Sequence, residues 1–307
     1  MKKTIKINNI PSQESSLNQV MDNFILNCQI RGLSQATLNN YSSTCKMFLE
    51  VIGNKSLESL STHDINRFIV YLQQRGNNNT SINTRLKSFK SFLNYADIAL
   101  SIPNLKTTSP IKVPYTDEEI KKLLKKPVVQ SYTQYRNHAI VSTLIATGIR
   151  SRTLLGLKIK DVNFNNDTIF LNEVKNNKKY FIPLSSTLKQ TLKYYLSLYT
   201  HDPNDYLFVN LYGEPLDRNA LKQTIRDYNL KRGVTKTSIH LFRHTFAYNY
   251  IRNGGNVMYL QNILGHSKLE TTKIYLAIQT DDLQKNFDDY CMLDQMQRKG
   301  IKLKNKK

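Results

Sequence analysis

Acidic residues are scarce in this 307-residue chain: 23 Asp and Glu stand against 44 Lys and Arg, a formal net charge of +21 with neutral histidines. Cysteine is scarcer. Cys28, Cys45 and Cys291 are odd in number and widely scattered, which argues against a disulfide framework and suits a reducing cytoplasm. No apolar run approaches the ~18 residues of a membrane span. Asn8, Asn9, Ser12, Gln13 and Glu14 stand where a secretory leader would carry its apolar stretch. There is no GxxxxGK[ST] phosphate loop, no CxxC pair and no HExxH, and the scattered carboxylates offer no paired metal site. These absences set aside secreted, membrane-spanning and two-metal nuclease readings. Phosphate chemistry, if this chain performs it, rests on cationic side chains.

The positive surplus draws polyanions and speeds encounter with them. Nucleic acid is the leading partner class, because each phosphate neutralised by Lys or Arg releases counterions. The plainer alternative is a generally basic, soluble surface. An anionic membrane is disfavoured, since the basic residues are dispersed through helical patterns and not gathered in one cluster.

With 40% hydrophobic residues the chain can build cores, and its length suggests two domains. Residues 1–13 read as a flexible lead-in. Leu17, Val20, Phe24, Ile25 and Cys28 share one helix face, and Gly32 ends that helix. Ser34 is placed to cap the next, which carries Leu38, Tyr41, Cys45, Phe48, Leu49 and Ile52. Thr62 or Ser61 caps a third with Ile65, Phe68, Ile69 and Leu72. Thr80 is the expected cap of a fourth with Ile82, Leu86, Phe89, Phe92 and Leu93. Four amphipathic helices over 14–102 predict a compact bundle. Arg85, Lys87 and Lys90 on the fourth are either a solvated face or a surface along a DNA backbone.

Pro103, Pro110 and Pro114 mark an extended linker over 103–114. Thr116-Asp117-Glu118-Glu119 is a capping box that opens a second, mixed domain over 115–281. A helix around 133–147 stops at Gly148. Short strands follow at 162–164, 168–171 and 180–182, a small antiparallel sheet, and helices resume around 186–200, 217–231, 240–253, 256–264 and 270–279. Residues 282–307 hold an amphipathic helix (Leu283, Phe287, Tyr290, Cys291) and a basic tail. The expected class is mainly α with a small antiparallel β-sheet.

Within His240-Leu241-Phe242-Arg243-His244, His240 and Arg243 lie three apart on one side of a helix, so both can donate to one oxyanion. Arg150 follows Gly148 at the end of an apolar helix. Leu264-Gly265-His266-Ser267 is a turn, and Tyr275 stands nine residues beyond His266. Singly, each is an ordinary surface or core residue.

In order, these pieces resemble the tyrosine recombinases, the family of phage integrases and Xer recombinases, over about residues 15–280. ATGIR (Ala146–Arg150) looks like the family's first arginine box. HLFRHTFA (His240–Ala247) looks like the HxxR box, and LGHSKLETTKIY (Leu264–Tyr275) like the final box with its nucleophilic tyrosine. The run from Lys175 to Leu184 is similar to the hairpin that bears the family's catalytic lysine. Lys175 holds the matching place, with Lys178 and Lys179 close by. The family usually has Glu or Asp three residues after the first arginine; here Thr153 stands there, able to hydrogen-bond but not to neutralise a cation.

The resemblance implies a SAM-like, four-helix core-binding domain and an α+β catalytic domain that close around duplex DNA. It implies a homo-tetramer on DNA, Arg150, Lys175, His240, Arg243, His266 and Tyr275 as catalytic residues, and no metal or nucleotide cofactor. The implied activity is site-specific DNA recombination through a covalent 3′-phosphotyrosine, with integration and excision of a mobile element expected. Xer-type resolution of chromosome dimers is the alternative, as is a catalytically impaired DNA-binding relative. A type IB topoisomerase shares the chemistry, but the small helical bundle and the C-terminal extension favour the recombinase.

Overall fold

The computed structural model describes residues 16–107, 113–128, 131–173 and 178–265. The chain divides into two compact units, residues 1–110 and 111–307. The first contains α1 (Leu17–Ile30), α2 (Gln35–Ile52), α3 (Thr62–Gln74) and α4 (Asn79–Tyr95). Each begins where a small polar side chain can satisfy orphan amide groups. Ser16 and Ser61 form capping boxes with Gln19 and Asp64, and the Ser34 hydroxyl accepts from the Thr37 N–H. The fourth helix starts earlier than its sequence suggested. Asn78, not Thr80, caps it by accepting from the Ser81 N–H at 2.9 Å.

The apolar faces meet in an aromatic core. Phe48 packs on Phe89 with the rings tilted by 31° and centroids 4.1 Å apart, and meets Phe68 edge-on at 5.2 Å. Cys28 and Cys45 are free thiols buried in this core. Burial, with smaller contributions from Asp22 and Cys28, pushes Cys45 up to about 12, so it packs as a neutral group. The stretch read as a linker is fixed at its start. Asn83 exchanges two hydrogen bonds with the backbone of Leu105, at 2.8 and 3.0 Å, and Asn79 donates to the Lys106 carbonyl.

The second unit contains α5 (Asp117–Leu124), α6 (Tyr132–Thr147), α7 (Ser151–Gly156), β1 (Val162–Asn163), β2 (Thr168–Glu173) and β3 (Lys178–Pro183). It continues with α8 (Ser186–Leu196), α9 (Arg218–Lys231), α10 (Ile239–Arg252) and α11 (Val257–Leu264). The strands form one antiparallel sheet in the order β1-β2-β3, with Ile169 opposite Ile182. Ile169, Leu171 and Ile182 point into the core, as the period of two requires. The core organises around α6, which buries Ala139, Ile140, Val141, Thr143 and Leu144, and packs against α5, α8, α9 and α10. Thr143 and Thr147 satisfy their buried hydroxyls on carbonyls four residues back.

The entry to this unit is tied to α10. The Tyr115 N–H donates to the Thr245 hydroxyl at 2.9 Å, its ring lies on Phe242, and its hydroxyl donates to the Lys236 carbonyl. Lys236 in turn donates to the Pro114 carbonyl and to Glu119, at 2.9 and 2.8 Å. Among the described residues no helix is long and apolar enough to cross a membrane.

Candidate functional site

α6 ends at Gly148, which adopts a left-handed conformation (φ 60°) and returns its N–H to the Leu144 carbonyl. Glycine is needed here twice over. A side chain would be strained at this φ, and a Cβ would fall 2.5 Å from the Phe246 ring and 3.1 Å from Leu264. Three segments distant in sequence therefore touch at one point: the end of α6, the middle of α10 and the end of α11.

Arg243 joins the same three segments. It is 7% exposed, lies on α10, and donates to the Gly148 carbonyl at 3.0 Å and to the Leu264 carbonyl at 2.6 Å. Buried cations require such partners, because unpaired charge in a core is costly. The planar guanidinium can serve both carbonyls at once, and it has five N–H groups in all. Arg150 comes two residues after Gly148. It is half-buried, with extended backbone at the N-cap of α7, a six-residue helix that periodicity did not predict. Thr153 is half-buried in that helix.

His240 is exposed and His244 half-buried. The sequence placed His240 and Arg243 on one side of a helix. The structure puts both on α10 but turns Arg243 into the core and leaves His240 at the surface. An i,i+3 pair is offset by about 60° on a 3.6-residue helix, enough to straddle the boundary between α10's packed and open faces. Lys175, His266 and Tyr275 lie outside the described residues, as do the helices expected at 270–279 and 283–291. Two features border them. Gly265, capping α11 with φ 62°, immediately precedes His266. A cleft of about 600 Å³ is lined by Lys179, Tyr180 and Phe181 of β3 and by Tyr259 and Gly265, so the strand that follows Lys175 and the residue before His266 border the same space.

On α4, Lys87 and Lys90 are exposed and neighbouring, while half-buried Arg85 lies about 140–160° round the helix from them. The three do not form one basic stripe. Among the described residues no three His, Cys, Asp or Glu side chains are grouped to hold a metal ion. Sequence reasoning missed the roles of Gly148 and Phe246. The signal was present, since Phe246 is three residues from Arg243 in the HLFRHTFA run.

The phage integrase family model matches residues 115–281, and the model of the phage integrase N-terminal SAM-like domain matches residues 20–97. The chain belongs to the phage integrase family of tyrosine recombinases. Relatives of this recombinase include a tyrosine recombinase XerD of Halalkalibacterium halodurans, 28% identical over 81% of this chain and 89% of the relative. Another is a tyrosine recombinase XerA of Pyrococcus furiosus, 28% identical over 91% of this chain and 96% of the relative. Among solved structures, a transposon Tn1549 integrase in complex with transposon right end DNA superposes with a TM-score of 0.70 at 20% identity, over 88% of this chain and 98% of that one. A XerA recombinase crystal structure gives 0.51 at 28% identity, over 89% and 98%. The recombinase thus has the family's fold: a SAM-like helical unit, then a mostly helical catalytic unit with one small antiparallel sheet.

Proposed function

We propose that this chain is a site-specific recombinase that breaks and rejoins duplex DNA through a covalent 3′-phosphotyrosine. The observation that carries this reading is Arg243, which bridges the Gly148 and Leu264 carbonyls and so fixes the segment leading to Arg150 against the segment leading to His266. In this reading the Tyr275 oxygen attacks phosphorus, the bond to the 5′-oxygen breaks, and a 5′-hydroxyl leaves. A phenol with a pKa of about 10 is a weak nucleophile at neutral pH, so His240 takes its proton. Arg150 and Arg243 hold the non-bridging oxygens, where charge builds in the transition state. Lys175 protonates the leaving 5′-oxygen, and His266 adds a hydrogen bond to the phosphate. A 5′-hydroxyl of the partner strand then reverses the step. The bond energy is kept in the tyrosyl linkage, so the scheme uses neither nucleotide nor metal.

The substrate in this reading is a pair of duplex recombination sites held by a homo-tetramer. Integration and excision of a mobile element is the role we favour, since Thr153 departs from the family's usual carboxylate. The Xer names of the curated relatives, which match over most of the chain, support a Xer-type role as the second reading. The test of the chemistry is Tyr275→Phe on a nicked suicide substrate. DNA binding should persist and the covalent adduct should vanish; an adduct that survives would assign the nucleophile elsewhere.

A further inference from the structure

The second unit has another concentration of positive charge. A cleft of about 610 Å³ opens between the end of α5, the start of α6 and the end of α9, and it is lined by Lys122, Lys125, Lys126, Lys231 and Arg232 with a single carboxylate, Asp227. That carboxylate accepts a hydrogen bond from Gln223 at 2.9 Å. Among the described residues none of the five cations has an ion-pair partner. Like charges held together without counter-charges repel one another, and a bound polyanion relieves that repulsion. The Arg232 guanidinium carbon lies over the Tyr228 ring, 3.6 Å from its centroid, while the Tyr228 hydroxyl donates to the Leu123 carbonyl. The first turn of α6 contributes Thr133 and Gln134 to the lining, and the Ser131 side chain does not cap that helix end. Nearby, burial holds His138 below the ordinary imidazole value against the hydrogen bond to the Leu124 carbonyl, and the charges of Arg232 and Lys126 act in the same direction as burial.

The place of the cleft matters. Thr133 and Gly148 are at opposite ends of α6, about 22 Å apart at 1.5 Å per residue, so the cleft is separate from the Arg150–Arg243 site. Its five cationic groups face a single carboxylate. Pro127 is buried, Tyr228 is covered by Arg232, and Val128 stands 90% exposed at the rim. A narrow ridge of phosphates fits such a lining better than an acidic peptide, which would need an apolar anchor point.

We infer that this cleft is a second DNA-backbone site that takes phosphodiester groups away from the cleavage centre. The inference rests on the reading that the protein acts on DNA.

Two measurements on the full chain test it. In the first, binding to a 40-base-pair duplex of arbitrary sequence is followed by fluorescence anisotropy as salt is raised. Replacing Lys125, Lys126, Lys231 and Arg232 together by Gln should reduce the slope of log K against log salt by about 2–3, near 0.9 per phosphate lost. Adduct formation at saturating protein should be unchanged. Lys125→Arg, Lys126→Arg and Lys231→Arg combined should keep the original slope, so a loss through misfolding would be recognised. In the second, Val128→p-benzoylphenylalanine, at the exposed rim, should crosslink to labelled DNA on irradiation. An unchanged slope, absence of a DNA crosslink, or a crosslink to protein alone would overturn the inference; the last would assign the cleft to an acidic protein segment. If the unaltered chain forms its Tyr275 adduct while these tests fail, only the cleft is wrong. If it does not bind DNA at all, the recombinase reading itself fails.

Discussion

A lysine at position 243 would keep the charge but present one nitrogen where the guanidinium presents three. A single ammonium nitrogen does not reproduce the two separate nitrogens of one planar fork that hold the Gly148 and Leu264 carbonyls. Arg243→Lys should therefore fail in two ways. Leaving a buried carbonyl without its donor costs about 1–3 kcal/mol, to be read from urea unfolding. Loss of an oriented donor at the phosphate should lower the rate of adduct formation about 10²–10³-fold on a suicide substrate. Intact stability with lost cleavage would show that the two carbonyl bonds contribute nothing to the fold; intact cleavage would remove Arg243 from the reaction.

At the scale of elements, helix starts dominate the local electrostatics. Asp64, in the first turn of α3, is 4% exposed and accepts from Lys55 at 2.6 Å and from the Ser61 N–H and hydroxyl at 2.9 and 2.8 Å. Burial alone would raise its pKa. The Lys55 and Ser61 hydrogen bonds and the Lys55 charge outweigh burial and hold it below the ordinary 3.8. A carboxyl whose folded pKa is lowered stabilises the fold above its unfolded value and loses that contribution as pH falls through the folded one. Unfolding free energy should thus fall as pH drops from about 5 to below 3. Asp64→Asn should be less stable at neutral pH and show a shallower acid dependence; parallel curves for the two proteins would dismiss the ion pair. The same elements show what could be read from sequence. The helices α1 to α4 were legible because their apolar residues repeat at helical spacing, and a serine cap was legible wherever it stood alone. The start of α4 was not, because Asn77, Asn78, Asn79 and Thr80 are four successive cap-competent residues and only packing selects Asn78. α7 was missed because six residues make less than two turns and leave no period to detect. The inward turn of Arg243 was missed because spacing fixes relative position on a helix, not which face the rest of the fold covers.

For the whole molecule, two hydrophobic cores matter more than one length of chain. The cluster around Phe48, Phe68 and Phe89 and the cluster around Ile140, Leu144 and Phe242 share no members, and each is large enough to fold cooperatively. Calorimetry of the full chain should resolve two transitions. Phe48→Ala, removing the ring at the centre of the first core, should lower one of them by about 3–5 kcal/mol of stability and leave the other in place. A single transition displaced as a whole would mean that the units melt together. One mooring described above then acquires a wider meaning. The chain enters the second unit at Pro114 and Tyr115, and Tyr115 is fastened to Thr245, two positions beyond Arg243 on the same helix. In the proposed reading, the residue that opens the second unit is thus pinned to the helix that carries His240 and Arg243, so the entry of this unit and those two side chains share one rigid element.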